Sequence, residues 1–89
     1  MNKVIITFYG RVQGVGLRVF IAQCAGEHNV TGTVQNKPDG TVQAELWGDK
    51  DQLAKYIEIS ARGSRFSRIE NITTVWGVAD HAPNNFRIL

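Results

Sequence analysis

The chain has little with which to hold a metal or to run acid–base chemistry. It contains one cysteine, Cys24, and two histidines, His28 and His81. Neither HxxxH nor CxxC spacing occurs, so no transition-metal site and no metal cofactor are expected. One cysteine excludes an internal disulfide framework and fits a reducing compartment, so a cytoplasmic protein is expected. No apolar run reaches the ~18 residues of a membrane span. The start Lys3-Val4-Ile5-Ile6 has a superficial likeness to a signal sequence, but Thr7 and a glycine-rich loop interrupt it early. The ten Lys and Arg and eight Asp and Glu are spread without a run of one sign. A net charge of +2 is mildly basic and marks no nucleic-acid footprint. A GxSxG elbow and a GxxxxGK[ST] loop are both missing.

What is present fits an ordinary globular protein: 89 residues, 43% hydrophobic and 20% charged, enough for one core and too few for two. One domain over residues 1–89 is expected. A monomer is the simplest state for a chain of this size with a single free cysteine. Lys3 to Val12 is rich in β-branched and aromatic residues, with Val4, Ile6 and Phe8 on one face, and reads as a central strand. Val19, Phe20, Ala22, Cys24 and Ala25 give the apolar spacing of a helix that ends near His28, with Asn29 suited to the left-handed position after it. Val30 to Lys37 and Thr41 to Gly48 flank Pro38-Asp39-Gly40, a hairpin signal. Asp49 is a fair N-cap for a second helix, Lys50 to about Ala61, with Leu53, Tyr56, Ile57 and Ala61 as its apolar stripe. Arg68 to Val78 reads as a strand whose alternation is blurred at Glu70-Asn71, and a short strand around Phe86 and Ile88 closes the chain. The order is βαββαβ plus a terminal strand. It predicts an α+β, ferredoxin-like sandwich with an antiparallel or mixed sheet and both helices on one face.

Most groups that could carry chemistry have a structural explanation. Cys24 reads as a core thiol, His28 as a helix-end residue, and the carboxylates Asp49 and Asp51 as complements to a helix dipole. The loop after the first strand is different. Gly10, Gly14 and Gly16 fall within a short stretch, and Arg18 sits in the first turn of the following helix, where the dipole disfavours a cation by roughly 0.3–1 kcal/mol. A glycine turn with a solvated arginine would account for this. So would an anion held by loop amides, a helix N-terminus and a guanidinium fork together. A second irregularity is Asn36, which shares strand parity with Val30, Gly32 and Val34 yet is polar. It either opens the turn before Pro38 or marks a functional site.

Taken together, Gly10-Arg11-Val12-Gln13-Gly14-Val15-Gly16-Leu17-Arg18, then Gly32-Thr33-Val34-Gln35-Asn36, then Asp39-Gly40-Thr41-Val42 resemble the acylphosphatase family. The similarity runs on to Phe86-Arg87-Ile88. The resemblance implies a ferredoxin-like fold and metal-free hydrolysis of the carboxyl–phosphate bond of small acyl phosphates. The family's catalytic arginine falls on Arg18 and its catalytic asparagine on Asn36. On this reading the amides of Val15, Gly16, Leu17 and Arg18 hold the phosphoryl oxygens, and Asn36 orients the attacking water. No nucleic-acid or membrane partner is expected. The chain departs from the family pattern at Leu17, usually Phe, and at Thr33, often a large aromatic. Both positions suggest an altered pocket wall. Asn29 replaces a helix-ending glycine, and Gly63-Ser64-Arg65-Phe66-Ser67-Arg68 lacks the common Gly-Pro start. Two other functions remain open at this point. One is a non-catalytic anion-binding regulatory domain of the same fold. The other is a single-stranded RNA binder that would use Tyr9 and Trp47 on the open sheet face.

Overall fold

A computed structural model describes all of residues 1–89. The elements in chain order are β1 (Asn2–Arg11), α1 (Leu17–Glu27), β2 (Thr31–Asn36), β3 (Val42–Gly48), α2 (Lys50–Ser60), β4 (Arg68–Val78) and β5 (Phe86–Ile88). The five strands form one sheet in the order β4-β1-β3-β2-β5. All neighbours are antiparallel except β2 and β5, which run parallel. This is the expected ferredoxin-like architecture, with the short terminal strand added at one edge.

The alternation read in the sequence is what builds the core. Val4, Ile6 and Phe8 of β1, Val34 of β2 and Val42, Ala44 and Leu46 of β3 are all fully buried on one face. Leu53 and Tyr56 of α2 and Leu17, Ile21, Cys24 and Ala25 of α1 close over them. The Tyr56 hydroxyl donates to the Ile21 carbonyl at 2.6 Å and ties the two helices together. Burial pushes its phenol well above the ordinary tyrosine range. Cys24 is a buried free thiol, raised for the same reason, in keeping with a core role.

Two helical stripes differ from expectation. In α1 the buried set is spaced i, i+4, i+7, i+8 from Leu17, which turns Val19 out to 52% exposure. In α2 the last inward residue is Ser60 rather than Ala61. Its burial is tolerated because the hydroxyl donates to the Ile57 carbonyl at 3.0 Å, leaving no polar atom unpaired.

The punctuation residues behave as their chemistry requires. Asp49 and Gln52 form a reciprocal capping box at the start of α2. Asn29 takes the left-handed conformation, at φ 55°. The blurred alternation at Glu70-Asn71 coincides with a β-bulge, where the β1–β4 register shifts between Tyr9 and Gly10. A bulge puts two residues opposite one, so strict alternation must fail there.

Candidate active site

The end of β1, the start of α1 and the end of β2 meet at one end of the sheet. Asn36 pairs with Val42, and Val42 in turn lies opposite Phe8 near the end of β1. The register of the central strands therefore carries the hairpin to the same place as the glycine loop. Between them lies a small cavity of about 80 Å³, lined by Val12, Gly14, Gly16, Leu17, Arg18, Val19 and Asn36. Arg18 and Asn36, remote from each other in sequence, thus border a common space.

The loop is shaped to present its backbone. Gly14 and Gly16 adopt positive φ, 71° and 78°, which a residue with a Cβ takes up only at a cost. Gly16 is the N-cap of α1, and its carbonyl receives the Phe20 amide at 3.1 Å. No backbone amide from Gln13 through Val19 donates to another group of the chain. The last of these are the orphan donors of any helix start, but the row begins before the helix does. Successive free amides around residues of left-handed conformation make a concave, partially positive cradle. No acidic side chain occupies the first turn of α1 to neutralise it, and Arg18 adds a permanent positive charge.

Arg18 is half-buried, and its Nη1 donates to the Leu89 carbonyl oxygen at 3.1 Å. Leu89 is itself held by its amide, which donates to the Val34 carbonyl at 2.8 Å. The terminal segment alongside β2 therefore helps to hold the guanidinium at the cavity. Asn36 is exposed at the end of β2, and its amide takes no part in the hydrogen bonds that knit loop to hairpin. Both of its side-chain functions are free to engage a small polar molecule.

The two halves are joined by a residue that the sequence reading placed at the loop's start without giving it a role. The Gln13 side-chain amide donates to the Lys37 carbonyl at 2.7 Å and to the Thr41 carbonyl at 2.9 Å. It thereby bolts the loop to the β2–β3 turn. Two hydrogen bonds of this kind contribute about 1–3 kcal/mol together. Gln13→Ala is expected to lose that much unfolding free energy, read from the urea midpoint at unchanged m-value.

The turn is stiffened in its turn by Asp39. One carboxylate oxygen accepts from the Thr41 amide at 3.0 Å and from the Thr41 hydroxyl at 2.6 Å. The hydroxyl bond above all, and then the amide bond, hold the Asp39 carboxyl below the usual carboxylate range. A depressed folded-state pKa stabilises the fold above the ordinary Asp value of about 3.9, and that stabilisation is lost as pH falls through the lowered value. Asp39→Ala should therefore be less stable than the wild type at neutral pH. Urea midpoints measured from pH 7 down to about 2 should begin to draw together for the two proteins only as the pH falls below about 4.

Of the two expectations about the pocket wall, the one for Thr33 is corrected. Leu17 is 1% exposed and belongs to the core cluster. It also borders the cavity, as a wall position would. Thr33 lies on the opposite face of β2 from Val34 and Asn36, across from Glu45, and does not line the cavity. The wall is apolar through Val12, Leu17 and the exposed Val19. Tyr9 and Trp47, the aromatics of the RNA reading, fall at opposite ends of the sheet. They do not make adjacent stacking positions. A more open hollow of about 540 Å³ lies at the far end, bounded by Asn2, Lys50, Trp76, Gly77 and Val78.

Comparison with known proteins shows the family. The family model described as acylphosphatase matches residues 4–88. The chain is 42% identical over 72 residues to an acylphosphatase of Clostridium acetobutylicum, covering 81% of this chain and 79% of the relative. It is 42% identical over 79 residues to one of Salinibacter ruber, covering 89% and 83%. The crystal structure of acylphosphatase from Bacillus subtilis superposes with a TM-score of 0.96 at 31% identity, over 100% of this chain and 99% of that one. A glycine cradle, an arginine in the first turn of a helix and an asparagine at the end of the neighbouring strand, on this fold and with these relatives, make the chain a member of the acylphosphatase family.

Proposed function

We propose that this acylphosphatase hydrolyses the carboxyl–phosphate bond of small acyl phosphates through Arg18 and Asn36, without a metal. The observation that carries the reading is the common cavity bordered by the glycine loop, Arg18 and Asn36. Water attacks phosphorus and the bond from phosphorus to the bridging oxygen breaks. The carboxylate leaves, and inorganic phosphate remains. An acyl phosphate is a mixed anhydride whose leaving group is already a weak base, so neither a covalent nucleophile nor a strong general acid is required.

In a loose phosphoryl-transfer transition state, charge spreads over the three equatorial oxygens. The amides of Val15, Gly16, Leu17 and Arg18 face that charge, with the Arg18 guanidinium as a fork-shaped clamp. Asn36 holds the attacking water by its side-chain amide. The residues that border the cavity include no carboxylate or imidazole. The proton of the attacking water accordingly passes to a phosphoryl oxygen, and the products are carboxylate and dihydrogen phosphate in its usual equilibrium. Val12 and Val19 form an apolar wall for the acyl part.

The same reading takes the enzyme as a single-domain cytoplasmic monomer, in keeping with its one buried, unpaired cysteine. No helix in the chain is long and apolar enough to cross a membrane. The test is the direct hydrolysis of an aromatic acyl phosphate, followed by ultraviolet absorbance with EDTA present. Turnover unchanged by EDTA is expected. A loss restored by a divalent cation would overturn the metal-free mechanism.

A further inference from the structure

Ser64 lies in the turn after α2, outside the cavity, yet it reaches the phosphate loop. Its hydroxyl donates to the Val15 carbonyl at 2.8 Å from a half-buried position. We propose that Ser64 is a positioning residue for catalysis, fixing the Val15–Gly16 peptide so that the Gly16 amide is aimed into the cradle. The inference rests on the reading of the glycine loop as the phosphoryl site.

In a planar trans peptide the carbonyl and the following N–H point in opposite directions. A hydroxyl that holds the Val15 carbonyl towards the α2–β4 turn therefore turns the Gly16 N–H away from that turn. The loop cannot make this choice unaided. The plane between Val15 and Gly16 turns about ψ of Val15 and φ of Gly16, and the second of these belongs to a glycine that rotates at little cost, so the loop's own backbone holds the plane weakly. Flipped, it would present a carbonyl oxygen where an anion is to bind. That replaces an attractive dipole with a repulsive one.

Ser64 is well founded for the role. Its own carbonyl accepts from the Ser67 amide at 3.2 Å and from the Ser67 hydroxyl at 2.9 Å. The preceding residue, Gly63, donates its amide to Ser60 at 3.0 Å. Ser60 is fully buried, with its hydroxyl on the Ile57 carbonyl. A continuous set of hydrogen bonds thus runs from the buried end of α2 to the phosphate loop. Gln13 fixes the other end of the loop, on the hairpin, and Ser64 fixes its middle.

The experiment compares Ser64→Ala, Ser64→Thr and Arg18→Gln with the wild type in the full chain, using inorganic phosphate as the probe. Ser64→Ala is expected to raise KM for an acyl phosphate and the inhibition constant of phosphate about five- to tenfold. Ser64→Thr, which keeps the hydroxyl, should restore both to within about twofold. In nitrogen–proton spectra of the wild type, added phosphate should move the Gly16 amide proton downfield, and in Ser64→Ala that movement should shrink. Unchanged phosphate affinity in Ser64→Ala, with affinity lost in Arg18→Gln, overturns the role of Ser64 and leaves the site reading standing. Affinity kept in both variants overturns the site reading itself. A wild-type Gly16 amide that does not respond to phosphate overturns the proposal whatever the stability of the variants.

Discussion

Replacing Arg18 by glutamine is expected to cut kcat/KM for an acyl phosphate by at least about 10³-fold and to abolish measurable inhibition by phosphate. Glutamine keeps hydrogen-bonding capacity and much of the length, but it lacks the charge and the five-donor fork that match a phosphoryl group. An arginine that stabilises a phosphoryl-transfer transition state is worth about 10³–10⁵ in rate. The loop amides that remain are partial charges, and a helix dipole contributes only about 0.3–1 kcal/mol at such a site. They cannot stand in for the guanidinium. The loss should leave the fold intact, because the one hydrogen bond Arg18 makes, to Leu89, is exposed. Steady-state assays paired with thermal melts would check this. A variant that folds and keeps most of its activity would sink the mechanism.

The second large effect is expected of Asn36→Ala, and its signature differs. The kcat should fall about 10²–10³-fold, the range measured for removing one precisely placed donor. The inhibition constant of phosphate should stay within about twofold of the wild type. Asn36 borders the cavity from the end of β2 and is assigned to the water rather than to the phosphoryl oxygens, so its loss removes an interaction needed in the transition state and not in the bound ground state. Its exposed position predicts little change in stability. Parallel measurement of kcat and phosphate inhibition separates the two residues. Equal losses of both quantities in the two variants would show that Asn36 binds phosphate and does not position water.

Much of this was legible in the order of residues, and the reasons are local. Strand alternation, the Asp49 cap, the Pro38-Asp39-Gly40 turn and the left-handed Asn29 each act over a few neighbours, so a linear reading finds them. Arg18 and Asn36 stood out because each breaks the pattern of its own element: a cation at a helix N-terminus, and an amide on a buried strand face. Thr33 was misjudged for the complementary reason. A departure from a family pattern gives no direction in space, and the Thr33 side chain points to the far sheet face.

The connections between elements could not be read in this way. Gln13 was visible as one more loop residue, and nothing near it in sequence names the Lys37 and Thr41 carbonyls as its partners. Ser64 belonged to a segment marked only as irregular. Its hydroxyl matters because the turn after α2 returns to the loop after β1. Even Arg18 donates its hydrogen bond to the far end of the chain. By itself the sequence determined the elements, the family and the two residues assigned to the chemistry, since these follow from short-range periodicity and from motifs. Only the tertiary structure decided how those residues are held. A hydrogen bond needs a partner at about 3 Å, and strand register with chain return, rather than sequence separation, sets which groups come that close.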